Sequence, residues 1–440
     1  PPPISTLLPY TTLFRSEAFR HRSAPDEPRW LADRRRAALD RFAELGFPTR
    51  RDELWRFTNL TPLTRSVFPP ATEAALTVDV AALAPYLLDG ARHRIVLVNG
   101  RFASELSAID DLPSGVWLGS TAEALAAHPD WVRAAFEESD TVGAQPLASL
   151  NGAFFVDGFV LALEPGMVLE APIEIVHLAE ADAPQAFHLR NAIAAQVGSR
   201  ATVVETYAGA GIGWTNAVTR VAVGEGAHIA HVKIQAEGAG AIHTALTRAS
   251  LAKSARYESF TLTTGARLSR GDSLVTLAGE GAHLNLSGTY LLRREQEATT
   301  ATFVEHAALG GETREVFKGV VDDRAHGVFL GKIAVRPGAD KTDAHQLNRN
   351  LLLSPRAAVD TKPELEILAD DVKCSHGATV GDLDETALFY LCSRGLPMDV
   401  ARRMLIEAFA VDAIETAVTE PLLRAHLRRH LETWLEKCGS

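Results

Sequence analysis

The chain contains very little cysteine. Its 440 residues include 3 cysteines, Cys374, Cys392 and Cys438, and no two of them form a C-x-x-C pair. A disulfide framework is therefore not expected, and neither is an iron–sulfur or zinc domain with all of its ligands in this chain. Such sparse cysteine is typical of a reducing compartment, so we expect a cytoplasmic protein.

Long apolar runs, an excess of positive charge and a nucleotide-binding loop are also missing. No apolar stretch approaches the ~18 residues of a membrane span, so no membrane association is expected. The net charge is −11, which argues against a nucleic-acid partner, because phosphate binding requires a concentrated positive field. No G-x-x-x-x-G-K-[ST] motif occurs, so we do not expect this chain to bind or hydrolyse ATP.

The first part of the chain combines helical and strand-like patterns. Residues 1–16 lack the charged and apolar segments of a secretory signal, and we expect them to be a non-native or disordered tail. Residues 17–150 form an N-terminal helical and mixed region. Its clearest helical spacing runs from Asp26 to about Leu45, and its clearest strand-like run is Ile95–Gly100.

Residues 151–380 consist of short β-branched runs separated by glycine turns, for example Ala201–Tyr207 and Ile229–Gln235. So many short strands are consistent with a sandwich, a barrel or a solenoid. The sequence Gly-Glu-Gly-Ala-His occurs twice, at Gly224–His228 and Gly279–His283, each time between two strand-like runs. A repeated strand–turn–strand unit favours the solenoid, in which such units stack.

Residues 381–440 return to a helical pattern and predict a C-terminal helical domain. Asp382 or Asp384 is suited to cap a first helix that ends near Gly395, and Pro397 precedes a second helix. The second helix carries an apolar stripe at helical spacing that includes Met404, Leu405 and Phe409. Such a stripe is first of all a packing surface, and any exposed part of it is a candidate docking surface.

The pair Cys374 and His376 is the strongest candidate for metal chemistry. Residues two apart in a strand share a face, and a thiolate and an imidazole are suitable ligands for iron or zinc. Two donors do not fill a four-coordinate site, so either both residues are ordinary structure or another chain supplies the rest. If one regular strand runs on from Glu364, the pair shares the face of Glu364 and points away from the apolar face that holds Leu365.

Several short stretches together resemble a known family. They are Gly46–Thr49 (GFPT), Glu53–Thr58 (ELWRFT), Phe317–Val320 (FKGV), Val328–Lys332 (VFLGK), Lys341–Gln346 (KTDAHQ), Lys362–Glu366 (KPELE) and Lys373–Gly381 (KCSHGATVG). They resemble the SufB/SufD family of the SUF iron–sulfur cluster assembly machinery. The aromatic N-terminal motif favours the SufD branch over SufB.

The resemblance implies a mainly β protein, in which a right-handed parallel β-helix core lies between N-terminal and C-terminal helical regions. It implies a non-catalytic scaffold that pairs with SufB through the β-helix and binds the ATPase SufC on the C-terminal helical domain. Met404, Leu405 and Phe409 are the candidate SufC contacts, and a homodimer is possible for the isolated chain. Cys374 and His376 would share a transient iron or nascent iron–sulfur cluster with SufB.

A β-helix enzyme that acts on polysaccharide is the alternative function. Asp322, Asp323 and Asp343 would be its acid and base groups, in a solvent-open groove lined by carboxylates and aromatic residues. The aromatic content of 7% and the absence of an export signal count against it.

Overall fold

The computed structural model describes residues 27–69, 71, 80–109, 111–136 and 145–436. The expected tail at residues 1–16 and Cys438 lie outside these ranges. Within the described ranges, no helix is both long enough and apolar enough to cross a bilayer.

The described residues before Phe159 contain helices interleaved with the first three strands. The helices are α1 (Arg29–Leu45), α2 (Thr61–Arg65), α3 (Val80–Leu83), α4 (Thr121–Ala127), α5 (Pro129–Ala135) and α6 (Pro146–Phe154), with 3₁₀ turns at Glu53–Trp55, Ala84–Tyr86 and Ser104–Leu106. Gly46 has a φ of 68° and ends α1, since glycine accepts the left-handed conformation without strain. Ser120 and Glu123 form a capping box at the start of α4.

The rest of the fold is built from strands, followed by three further helices. The strands are β1 (His93–Val98), β2 (Arg101–Phe102), β3 (Val116–Ser120), β4 (Phe159–Leu163), β5 (Ile173–Leu178), β6 (Gln185–Ala195), β7 (Arg200–Ala208), β8 (Gly213–Val223), β9 (His228–Gln235), β10 (Ile242–Leu251), β11 (Arg256–Thr263), β12 (Leu268–Leu277), β13 (His283–Leu292), β14 (Glu297–His306), β15 (Glu312–Val321), β16 (His326–Val335), β17 (Asp343–Leu352), β18 (Ala358–Ile367) and β19 (Lys373–Gly381). The helices are α7 (Glu385–Ser393), α8 (Met398–Ala417) and α9 (Pro421–Glu436).

From β4 onward the strands form a parallel β-solenoid of about eight turns. Successive strands alternate between two sheets, and each pairs in parallel and in register with the strand two places further along the chain. The two Gly-Glu-Gly-Ala-His segments form equivalent turns, between β8 and β9 and between β12 and β13. The predicted solenoid and its repeated unit are therefore confirmed. The N-terminal region also contributes, because β1 pairs in parallel with β5.

Alternate side chains of each strand fill the interior of the solenoid. On one side of the interior these are aliphatic, and residues such as Ile229, Leu251 and Leu277 are fully buried there. Each buried side chain of this kind contributes about 1.5–3 kcal/mol. The stacked aliphatic columns therefore hold the turns together.

Other segments cover the outside of both sheets, but not along their whole length. Helices α8 and α9 pack on the outer face of the odd-numbered strands, where Leu427 and Trp434 meet Val232 and Phe260. The outer face of the even-numbered strands meets the N-terminal aromatic motif, in which Trp55 stacks 3.7 Å from the Arg270 guanidinium. The last turn, made of β18 and β19, is mostly half-buried or exposed.

Candidate functional site

The C-terminal end of the solenoid is open. Strand β18 is the edge of one sheet and β19 the edge of the other, and no described strand pairs with their outer sides. Such edges present unpaired backbone N–H and C=O groups, which native proteins cover, blunt or offer to a partner. Any chemistry carried by the last turn is therefore accessible from outside.

Cys374 and His376 lie in β19, on the face that points into the solenoid. They are in register with Ala344 and Gln346 of β17, both of which are buried in the interior. Side chains of in-register parallel strands share a face. A Cβ atom added at the next residue, Gly377, would lie 3.4 Å from Leu347 Cδ1, so the odd-numbered positions of the two strands share the opposite face.

The direction predicted for this pair is wrong. Leu365 does face inward, as expected, but β18 ends at Ile367 and β19 begins at Lys373. The turn at residues 368–372 separates two strands of different sheets, so the alternation of faces does not carry across it. Instead of sharing a face with Glu364, Cys374 packs against the apolar interior.

The two donors have different surroundings. Burial raises the pKa of the Cys374 thiol above its usual range, a backbone hydrogen bond near Ala344 opposes this, and the Asp343 carboxylate adds to it. The thiol is therefore protonated at neutral pH, and a bound cation must displace the proton before the sulfur can act as a ligand. His376 is exposed, and no described residue makes a hydrogen bond with its ring.

The chain does not complete a metal site by itself. In the part of the chain that the structure describes, no three His, Cys, Asp or Glu side chains are grouped so that they could hold a metal ion. The nearby His345 is bonded on the outer face, at 2.6 Å to Ser375 Oγ and 3.0 Å to Asp343 Oδ1. The inner face therefore offers two donors and leaves the other coordination positions open.

Exposed apolar residues surround this end of the molecule. Ile367, Leu368 and Val380 are exposed on the last turn, and Phe389 of α7 is 74% exposed. Several exposed apolar side chains at one end of a folded protein are typical of an interaction surface. The Asp384 side chain caps α7 as predicted, accepting hydrogen bonds from the N–H groups of Thr386 and Ala387.

The apolar stripe of α8 is divided between core and surface. Met404 is 46% exposed, whereas Leu405 is half-buried. Phe409 packs on the sheet, with the Lys318 ammonium 4.7 Å from its ring centroid. Of the three predicted contact residues, only Met404 is exposed, and Leu405 and Phe409 are half-buried.

The carboxylates of the alternative enzymatic function do not assemble into a site. Asp322 and Asp323 lie in the turn after β15, and Asp343 begins β17. Since β15 and β17 are parallel and in register, these carboxylates lie at opposite ends of strands that are roughly 30 Å long. Asp343 is also paired with Arg314 at 2.7 Å, so no acid–base pair forms.

Comparison with known proteins is consistent with this architecture. Residues 177–409 match the model of the SufBD core domain of SUF system iron–sulfur cluster assembly, and residues 6–175 match that of the SufBD N-terminal region. The chain belongs to the SufBD family. The family predicted from the sequence motifs is therefore confirmed.

Similar SufBD proteins occur in distant bacteria. An iron–sulfur cluster assembly SufBD family protein of Synechocystis is 34% identical, over 88% of this chain and 87% of its own length. The iron–sulfur cluster assembly protein SufD of Escherichia coli is 31% identical, over 89% and 90%. SufD of Bacillus subtilis is 27% identical, over 88% and 90%.

The sequence analysis missed a column of buried polar groups inside the solenoid. Glu205 is fully buried and bonded to His231 Nε2 at 2.9 Å and His177 Nε2 at 3.2 Å. Burial alone would raise the pKa of Glu205, but Lys233 and the two histidines hold it well below its usual range. The signal in the sequence is the alternation of polar residues in single strands, such as His231, Lys233 and Gln235 in β9, which is also typical of a solvated strand face.

The raised pKa predicts that Cys374 is slow to react with alkylating reagents. We expect its rate with iodoacetamide to rise with pH through a midpoint above that of the same cysteine in the urea-unfolded chain, since only the thiolate reacts. Peptide mass spectrometry distinguishes Cys374 from Cys392 and Cys438. A midpoint at or below that of the unfolded chain would contradict the buried, protonated thiol.

Proposed function

We propose that this chain is a non-catalytic scaffold subunit of the SUF machinery, which supports iron entry and the formation of nascent iron–sulfur clusters. The observation that carries the proposal is an incomplete donor pair, Cys374 and His376, on the uncovered last turn of the solenoid. Iron is the cargo in this function, and a partner chain supplies the remaining ligands. ATP binding belongs to another subunit.

The open end of the solenoid is the proposed surface for SufB. Two unpaired strand edges and the exposed residues Leu368 and Val380 lie beside the donor pair. A SufB solenoid that covers this end would satisfy backbone hydrogen bonds, bury the apolar surface and bring its own ligands to Cys374 and His376. In the absence of SufB, the same surface is available for a homodimer.

Val380→Asp is expected to weaken pairing with SufB by at least tenfold in Kd, because the carboxylate would have to be buried without a partner. Val168→Asp is the matched control, since both valines are 45% exposed and Val168 lies at the other end of the solenoid. Anaerobic co-expression followed by size exclusion and titration calorimetry measures the effect. Equal affinities for the two variants would place the SufB contact elsewhere.

His376→Ala is expected to leave the complex with SufB intact and to reduce its bound iron and acid-labile sulfide several-fold, because one ligand is lost. The matched control is His345→Ala, which removes a neighbouring rim histidine from the outer face. Anaerobic iron and sulfide analysis of the isolated chain and of the complex provides the measurement. Normal iron and sulfide in the His376→Ala complex would remove this residue from the site.

The C-terminal helices are the proposed surface for SufC. Phe389 and Tyr390 of α7 and Met398, Val400 and Met404 of α8 are all exposed. They lie on adjacent helices that contact each other. A docked ATPase would bury these side chains, and movements driven by nucleotide could reach the last turn of the solenoid through α7, which follows β19 directly.

Met404→Glu is expected to weaken SufC binding at least tenfold while the pairing with SufB is unchanged. Ile212→Glu is the control, because Ile212 is also 46% exposed but lies on a turn of the solenoid, remote in sequence from the C-terminal helices. Pull-down of SufC by the variant chains, followed by titration calorimetry, tests the assignment. Retention of SufC by Met404→Glu at the affinity of the control would exclude this face of α8.

A further inference from the structure

A column of polar side chains continues from His376 into the interior of the solenoid. His376 of β19 is in register with Gln346 of β17, which is in register with Glu315 of β15. Each step in such a column is about 4.8 Å, the spacing between paired strands. Gln346 and Glu315 are both buried, so His376 is the exposed end of a column that is otherwise sealed.

Gln346 is held in place from below. Its Nε2 donates a hydrogen bond to Glu315 Oε2 at 2.8 Å. Burial raises the pKa of Glu315 to about 7, and the amide of Gln346 opposes this rise. The carboxyl oxygen can accept the amide N–H in either protonation state, so the anchor persists on both sides of neutral pH.

The opposite sheet leaves space for this amide. A Cβ atom added at Gly331 of β16 would lie only 2.2 Å from Gln346 Nε2, which is closer than any real contact. Only glycine therefore allows Gln346 to occupy its position. Gly331 belongs to Val328–Lys332, one of the stretches that carry the family resemblance. The close approach of the Gln346 amide explains why this position requires glycine.

The carbonyl oxygen of the Gln346 amide has no hydrogen-bond donor among the described residues. Gln346 Oε1 is buried and accepts no hydrogen bond in the described structure. A buried carbonyl without a donor is rare in native proteins and calls for a partner. The next side chain in the column is His376, whose exposed ring is free of hydrogen bonds to described residues and can turn toward it.

We propose that Gln346 is a positioning residue for His376: its Oε1 accepts a hydrogen bond from one ring N–H, and Glu315 fixes the amide. The other ring nitrogen is then presented to the metal at the mouth of the solenoid. Metal-binding histidines commonly donate their second N–H to a carbonyl or carboxylate, which fixes both tautomer and ring orientation. This inference rests on the proposed role of His376 as a metal donor.

The first test is NMR of the full chain with ¹⁵N- and ¹³C-labelled histidine, in which His376→Ala identifies the His376 signals. In Gln346→Met, which keeps the length of the side chain but removes the acceptor, we expect the ring ¹⁵N shifts to change, because the tautomer is no longer fixed by an acceptor. Gly331→Ala, which displaces the amide without removing a polar group, should have the same effect. Glu315→Gln, which keeps an acceptor for the Gln346 amide, should retain the wild-type shifts.

Asn348→Ala is the matched control, because Asn348 is the next buried interior residue of β17 and is in register with Ala378 rather than His376. Unchanged ring shifts in Gln346→Met, or an equal change in Asn348→Ala, would overturn the proposal. Circular dichroism and thermal unfolding of each variant confirm folding, and Gly331→Ala provides the same test if Gln346→Met does not fold.

The second test is metal binding by the complex with SufB, measured with Co²⁺ through its visible absorption. Gln346→Met should weaken binding about tenfold, in the range known for residues that orient metal ligands, and Gln346→Glu should restore it. Wild-type affinity in Gln346→Met would overturn the positioning role. Since the NMR test requires no metal, it can succeed even if His376 is not a ligand, so the two proposals fail independently.

Discussion

The in-register stacking of parallel strands is the constraint on which the rest of this structure depends. Each turn of a solenoid completes the hydrogen bonds and covers the interior of the turn before it. The last turn, β18 and β19, has no successor among the described strands. Two unpaired edges and an uncovered interior therefore occur together at one end. A second protein bound there would pair the edges and cover the interior.

This constraint explains why two donors of different character lie side by side. Cys374 lies deeper and packs against apolar side chains, whereas His376 lies at the exposed rim. Burial raises the pKa of the thiol, so metal binding at its sulfur has to displace a proton. A partner that covers the rim would bring ligands and change the electrostatic surroundings of the thiol in the same event, which couples cluster formation to assembly of the complex.

Local sequence patterns predicted the local features well. The repeated Gly-Glu-Gly-Ala-His turns indicated the solenoid, and Asp384 and Gly395 marked the ends of α7. The direction of Cys374 could not be predicted, because it depends on how residues 368–372 turn the chain into the other sheet. The neighbours of His376 were equally hidden, since Gln346 and Glu315 are brought beneath it only by the register of three strands.

The same register that hides the polar column from sequence analysis also makes it specific. A slip of one residue between β17 and β19 would place Gln346 beside Ser375 or Gly377, both of which face outward. The His376 ring would then lie beside His345 or Leu347 rather than beside the free oxygen of Gln346. Aliphatic packing on the other side of the interior, where Cys374, Leu365 and Ala369 all pack against the buried apolar core, opposes such a slip. The apolar core thus sets the alignment of β17 and β19 on which the proposed donor site depends.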